Sequence, residues 1–114
     1  MSDTVMKEYI PVQSNGTKTT HLRVEVYYSL GGMNYWTYKN EARGYYLSVT
    51  PVERGVSAGG FVMEGFTAFS GTKVLVKEVK RKGKKAADEA VKLAEPMKQE
   101  LIDVILKTQN LKVA

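Results

Sequence analysis

Aromatic and basic side chains are the groups of this chain whose types and spacing could do chemistry, and they occupy different halves of it. All seven tyrosines, the tryptophan and the three phenylalanines lie before residue 70. Residues 1–70 hold six basic and six acidic side chains, whereas residues 71–114 hold eleven basic and six acidic ones. Seven of the basic residues fall between Lys73 and Lys85, where Glu78 is the one acidic residue. Clustered cations attract anionic partners, and exposed rings offer surfaces for stacking.

The chemistry that joins these two features is the binding of nucleic acid, with single-stranded DNA or RNA favoured. Bases stack on aromatic rings, each stack contributing about 1–3 kcal/mol. Basic side chains meet the phosphates and release counterions. The patterns described below place aromatic residues on an outward sheet face and the basic residues on a following helix. The predicted nucleic-acid-binding residues are Arg23, Tyr27, Trp36, Tyr38, Tyr46, Lys77, Lys80, Arg81, Lys84 and Lys85.

Other interpretations account for the same residues. Tyrosine and tryptophan are favourable in strands, and cross-strand aromatic pairs stabilise a sheet without any ligand. The lysines also suit the solvated face of a helix. An aromatic sheet face is typical of a surface buried by a homodimer or by another protein. The alternative function is therefore a protein-interaction module, regulatory or inhibitory, that acts through its tyrosine-rich sheet face.

Catalytic and metal-binding residues are sparse, so we expect no enzyme activity, no metal and no cofactor. His21 is the single histidine, with no acid or nucleophile at a recognisable offset. The chain has no cysteine, which excludes disulfides, thiolate metal sites and cysteine nucleophiles. The glycines at 55, 59 and 60 lack the strand, helix and following lysine of a phosphate-binding loop.

Length and composition predict one soluble domain spanning residues 1–114. A chain of this length can bury one hydrophobic core, and 43% hydrophobic with 25% charged residues is ordinary for a globular protein. Residues 1–10 have no apolar core of signal-peptide length, and no stretch approaches the roughly twenty apolar residues of a membrane span. We therefore expect a cytoplasmic protein without a membrane partner.

Alternation of apolar and polar residues predicts four antiparallel strands, at 21–30, 33–38, 44–50 and 61–69, with residues 5–12 at most a further strand before them. Gly31 and Gly32 predict a tight hairpin, because two-residue turns need positive φ angles. In that hairpin Tyr28 faces Tyr35, and Tyr27 faces Trp36.

The strand at 44–50 carries an apolar row of Tyr45, Leu47 and Val49. Burial of that row on the same face as Val26 requires an odd-numbered loop before it, which places Tyr46 beside Trp36 on the opposite face. Residues 51–60 contain three glycines and begin with a proline, so we expect this segment to be a mobile connection.

Residues 72–109 are predicted to be helical, with Ser70 as the N-cap. One straight helix of that length would measure about 57 Å, longer than a compact domain of this size. We therefore expect a break near Pro96, and Gly83 is a second weak point. Residues 73–81 also alternate and are rich in valine, so a fifth strand with the helix beginning near Lys84 stays open.

Together these elements predict an α+β fold. A curved antiparallel sheet of four or five strands is followed by a basic C-terminal helical segment that packs on one sheet face. The face to be covered is lined by Val24, Val26, Tyr28, Tyr35 and Leu47. Four strands followed by a C-terminal helix resembles the element order of Whirly-type single-stranded-DNA binders, over about two-thirds of the chain. That resemblance implies the same class of ligand.

Overall fold

A computed structural model describes residues 2–14, 16, 18–34, 39–67 and 72–114. The predicted α+β class is confirmed, since an open antiparallel sheet of six strands carries one C-terminal helix on one of its faces. The elements are β1 (Ser2–Ser14), β2 (His21–Ser29), β3 (Gly32–Asn34), β4 (Lys39–Glu41), β5 (Gly44–Val56), β6 (Val62–Phe66), β7 (Thr72–Lys77), α1 (Lys84–Thr108) and β8 (Leu111–Val113).

The sheet order is β6-β5-β2-β1-β8, and β7 pairs with β5 alongside β6. The long strand β5 therefore serves two partners on one edge: residues 45–49 pair with β7, and residues 52–56 pair with β6. β3 and β4 form a separate two-stranded ribbon, the β3–β4 arm. Within the described part of the chain, no helix is both long enough and apolar enough to cross a membrane.

Period-two alternation along β2 and β5 builds the core, as predicted. Val24 pairs with Val49, Val26 with Leu47 and Tyr28 with Tyr45, and all six side chains are buried. The row on β5 thus lies on the face that burial requires. The helix covers this face through the buried residues Ala90, Ala94, Ile102 and Ile105. Tyr35, which was expected on the same face, lies outside the described residues.

The hairpin predicted at Gly31 and Gly32 is wrong. Both glycines have positive φ angles, as the prediction required. However, β2 is already paired on both edges, with β1 on one side and β5 on the other, so no edge is free for β3. Tyr28 faces Tyr45, and the turn leads the chain into the β3–β4 arm instead.

Pro51 does not end its strand, and the mobile connection predicted for residues 51–60 is wrong over residues 51–56. The carbonyl of Pro51 accepts a hydrogen bond from the amide of Thr67 at 3.3 Å, so its backbone groups point away from β2. The missing proline N–H therefore falls at the junction between the β6 and β7 pairings and removes no bond from the β2–β5 ladder. The strand expected at 61–69 is shorter in its described part, where β6 covers Val62–Phe66.

The helical segment predicted for residues 72–109 begins too early, and the alternative is confirmed. Residues 72–77 form β7, which pairs with the first half of β5. The helix then runs from Lys84 to Thr108, and the break predicted near Pro96 is wrong. Buried residues on both sides of Pro96 hold the two halves on the same sheet face. Twenty-five residues span about 38 Å, which fits the longest dimension of 42 Å. Ser70 lies outside the described residues.

Candidate nucleic-acid interface

Tyr27 and Tyr46 form a stacked pair on the outer face, the sheet face opposite the helix. Their ring centroids are 5.6 Å apart and the ring planes differ by 17°. The Lys73 ammonium also lies over the Tyr46 ring, 5.4 Å from its centroid. Tyr46 is only 6% exposed, and its hydroxyl donates to the carbonyl of Ala42 at 2.8 Å. Tyr46 is therefore closed to solvent, and Tyr27, which is half-buried, is the more accessible of the two.

Glu41 connects this pair to the β3–β4 arm. It accepts a hydrogen bond from the Tyr27 hydroxyl at 3.0 Å and forms an ion pair with the Lys73 ammonium at 3.2 Å. Burial raises the pKa of Tyr27 far above its ordinary value, and the negative charge of Glu41 raises it further. Burial likewise raises the pKa of Tyr46. Both phenols are thus neutral over the physiological range, and the cluster fastens β4 to the outer face.

Arg23 lies on the outer face but is engaged within the chain. Its guanidinium pairs with Glu64 at 2.7 Å and lies over the Phe66 ring at 4.9 Å. Glu64 also accepts from the Tyr9 hydroxyl at 2.5 Å and faces Arg54 at 3.5 Å. Burial alone would raise the pKa of Glu64, but the hydrogen bonds from Tyr9 and Arg23 outweigh it and lower the pKa below its ordinary value.

This network also bends the sheet. Tyr9 is on β1 and Glu64 is on β6, and the strand order places β2 and β5 between them. Three strand spacings amount to about 14 Å in a flat sheet, too far for a direct hydrogen bond. The end of β5 and all of β6 must therefore curl over the outer face. Arg23 acts in this conformation as one of the residues that hold the curl.

The basic residues collect where β7 leads into the helix. We call Lys80, Arg81, Lys82, Lys84 and Lys85 the basic end. All five are exposed. Lys82 pairs with Asp3 at 2.5 Å, whereas the other four make no ion pair with any described residue. Lys77, from the same stretch of sequence, is half-buried and is paired with Glu89 of the helix.

The start of the helix increases the positive charge at the basic end. The N-cap is Gly83, which makes no side-chain capping bond, and the first turn holds no acidic residue. A helix N-terminus carries about half a positive charge, so each cation placed there costs about 0.3–1 kcal/mol. Lys84 and Lys85 therefore sit where a helix alone would disfavour them, and an anion would relieve the repulsion.

The basic end and the tyrosine pair share one end of the sheet but lie on different sides of it. Asp3 is in register with Tyr28, whose side chain faces the core, so Asp3 lies on the helix side of the sheet. Because Lys82 forms an ion pair with Asp3, the loop between β7 and α1 runs on that side as well. The tyrosine pair is on the outer face. The structure thus brings the exposed cations together and places them apart from Arg23 and Tyr46. Trp36 and Tyr38 lie outside the described residues, in the connection between β3 and β4.

Two basic residues near this end were missed at the level of sequence. Lys82 belongs to the charged run but was not among the predicted binding residues. Arg43 is exposed and donates to the Tyr28 hydroxyl at 2.7 Å. It precedes Gly44, whose Cα packs against the end of β7, where the basic loop begins. Only the pairing of β5 with β7 reveals that proximity, so no local signal could have found it.

No protein-family model, no curated protein and no solved structure matches this chain. The likeness to Whirly-type binders rested on an order of four strands and then a helix, whereas in the described chain seven strands precede α1 and one follows it. Among the described residues, no three histidine, cysteine, aspartate or glutamate side chains are grouped as a metal site requires.

Proposed function

We propose that this protein binds nucleic acid, preferring single strands, and that the basic end binds the phosphates. The observation that carries this proposal is the exposure of Lys80, Arg81, Lys84 and Lys85 with no ion pair in the described chain. By contrast, Lys73, Lys77 and Lys98 form ion pairs with acidic residues of the chain. Cations left without a partner at an uncapped helix start are available to an external anion.

The geometry favours a polyanion over a single small anion. The free cations come from a loop and from the first helical turn, and several cations on neighbouring segments suit successive phosphates of a backbone. Each phosphate bound would release condensed counterions, so affinity would fall steeply with salt.

Stacking is assigned to aromatic residues of the first half of the chain. Trp36 and Tyr38 are proposed to stack bases, with Tyr27 as a further surface. Tyr46 and Arg23, whose partners lie within the chain, would contribute by supporting Tyr27 and by holding the curled sheet. Lys77 would act through its ion pair with Glu89, which fixes the end of β7 against the helix.

Fluorescence anisotropy with a labelled single-stranded oligonucleotide at several salt concentrations tests the proposal. The variant Lys80→Gln/Arg81→Gln should lower the slope of log affinity against log salt by about 1.4, because each single-strand phosphate contact contributes about 0.7. The matched control is Lys92→Gln/Lys112→Gln, which removes the same charge from exposed residues outside the basic end. The control should keep the parent slope.

The stacking part is tested in the same titrations. Trp36→Ala should lower affinity and leave the slope nearly unchanged, because stacking releases few ions. Duplex should bind more weakly than single strand, since paired bases cannot reach the rings. Absence of binding at low salt would end the proposal, and so would an equal loss of slope in the control. Equal binding of duplex and single strand, unaffected by Trp36→Ala, would leave the basic end and remove the rings.

The remaining expectations join this proposal: a cytoplasmic protein that catalyses no reaction and needs no cofactor. A protein-interaction module acting through the tyrosine-rich sheet face is the alternative. The burial of Tyr46 leaves Tyr27 as its main accessible ring among the described residues of that pair. Trp36→Ala would then weaken a protein complex while the Lys80→Gln/Arg81→Gln variant would not.

A further inference from the structure

The hairpin formed by the end of β5 and β6, residues 52–66, exposes large apolar side chains on both of its faces, with Val56, Val62 and Phe66 on the outer face and Met63 on the opposite one. The fold covers them little, although the Arg23 guanidinium lies over the Phe66 ring. Five large apolar side chains on the hairpin are between 61% and 75% exposed: Val56, Phe61, Val62, Met63 and Phe66. Every residue of β6 is exposed. Soluble monomers rarely leave a contiguous apolar patch larger than a few hundred Å² in water. A two-stranded hairpin without cover is also marginally stable by itself.

One edge of this hairpin is open for strand pairing. The amide of Ser57 donates to the carbonyl of Phe61 at 2.8 Å, and that of Thr67 donates to Pro51. Alternation along an antiparallel ladder then directs the backbone groups of Met63 toward β5 and those of Val62, Glu64 and Phe66 away from it. In the described chain, no strand pairs with that outward edge. An unpaired edge with apolar side chains is a template for another strand.

We propose that the partner is a second copy of this chain, paired β6 to β6 about a twofold axis. A twofold axis sets two identical strands antiparallel, so the open edge is complementary to itself. The five exposed side chains together present roughly 600 Å² per chain, an upper limit that edge pairing would bury only in part, because Met63 lies on the opposite face of β6 from Val62 and Phe66.

The charges of the hairpin agree with this occupant. Glu64 is the acidic residue on β6, and it already faces Arg23 and Arg54 of its own chain. Two copies can therefore approach without repulsion between their Glu64 carboxylates. The cations of the basic end lie at the opposite end of β5, so the hairpin offers little to a polyanion. The dimer would leave both basic ends free.

Sedimentation velocity over a range of concentrations, without nucleic acid, tests the pairing. The parent should reach twice its mass of 12.7 kDa. Val56→Thr/Val62→Thr should weaken the dimer at least tenfold. Threonine keeps the β-branched shape and the strand preference of valine but replaces one apolar group by a hydroxyl. The control Val104→Thr/Val113→Thr makes the same change at two exposed valines elsewhere and should dimerise like the parent.

A second measurement does not depend on those variants folding. The chain has no cysteine, so Val62→Cys accepts a single nitroxide label. Dipolar spin resonance should find the two labels within about 25 Å, whichever register β6 adopts with its copy. A mass of 12.7 kDa at every concentration, growth beyond the dimer, equal weakening by the control, or no dipolar signal would each overturn the pairing. Because nucleic acid is absent from these experiments, their failure is distinct from failure of phosphate binding.

Discussion

Replacing Gly44 by alanine should destabilise the fold strongly, because β5 begins in direct contact with the end of β7. A Cβ at this position would lie 2.5 Å from the carbonyl oxygen of Lys77 and 3.1 Å from Cδ1 of Leu75. Ordinary contacts of a Cβ begin near 3.4 Å, so the two strands would have to separate by almost 1 Å. The φ angle of Gly44 is also positive, at +155°.

The expected cost follows from these two effects. Overpacking of this kind costs about 1–3 kcal/mol, and a sparsely populated backbone conformation costs about 1 kcal/mol or more. We therefore expect Gly44→Ala to lose about 2–4 kcal/mol of unfolding free energy. For a domain of this size, that loss corresponds to a melting temperature lower by roughly 8–16 °C.

Urea unfolding followed by far-ultraviolet circular dichroism measures this loss. Two control glycines separate its causes. Gly32→Ala has a positive φ of +105° but open space around the new methyl group, so it should show the backbone cost alone. Gly55→Ala has open space and no positive φ, so it should be neutral or stabilising by up to about 1 kcal/mol. A Gly44→Ala variant as stable as Gly55→Ala would refute the close approach of β5 to β7, and with it the position of the basic end.

Three further predictions concern the core and the tyrosine pair. Val26→Asp should abolish cooperative melting, because it places an unpaired charge at a fully buried position; melting like the parent would contradict the assignment of that face. Tyr45→Phe should keep or raise stability by up to about 1 kcal/mol in urea unfolding, because the Tyr45 hydroxyl is buried with no partner among the described residues. A loss of stability above about 1 kcal/mol would contradict the absence of a described partner for the Tyr45 hydroxyl. The raised pKa of Tyr27 means that the folded chain holds the phenolic proton more tightly than the unfolded chain does. The resulting contribution to the unfolding free energy is complete below about pH 10 and is lost as the pH rises further. Tyr27→Phe should therefore lose less stability than the parent between about pH 8 and about pH 11, and an equal loss would contradict the shift.

The sequence predicted the elements whose signal is local. The alternation from Leu22 to Tyr28 reports burial of one face directly, and the requirement to bury Leu47 was enough to choose the face on which it lies. The direct pairing of β5 with β2 was not predicted. Edges were predicted poorly, since whether a strand edge is free depends on the remainder of the chain. The hairpin after β2 failed for that reason, as did the strand limit at Pro51.

The candidate interface divides in the same way. Clustering of Lys80 to Lys85 is a property of the sequence, and their exposure agrees with it. The partners of Arg23 and Tyr46 cannot be found from the sequence. Glu64 reaches Arg23 only because the sheet curls, and Lys73 reaches Tyr46 only because β7 pairs with β5. Residue type alone therefore overstated how many of the predicted side chains are available to a ligand.

The position of the helix has a consequence for the newly synthesised chain. All the strands of the core except β8 precede α1, so the ribosome completes the apolar face of β2 about fifty-five residues before the helix that covers it begins. At roughly 5–20 residues per second, that face stays uncovered for about 3–11 seconds before the helix even begins. The last strand, β8, must then find β1 across about a hundred residues of chain, which favours slow, late completion of the sheet. During that interval, the nascent chain would be a substrate for chaperones that bind extended apolar segments.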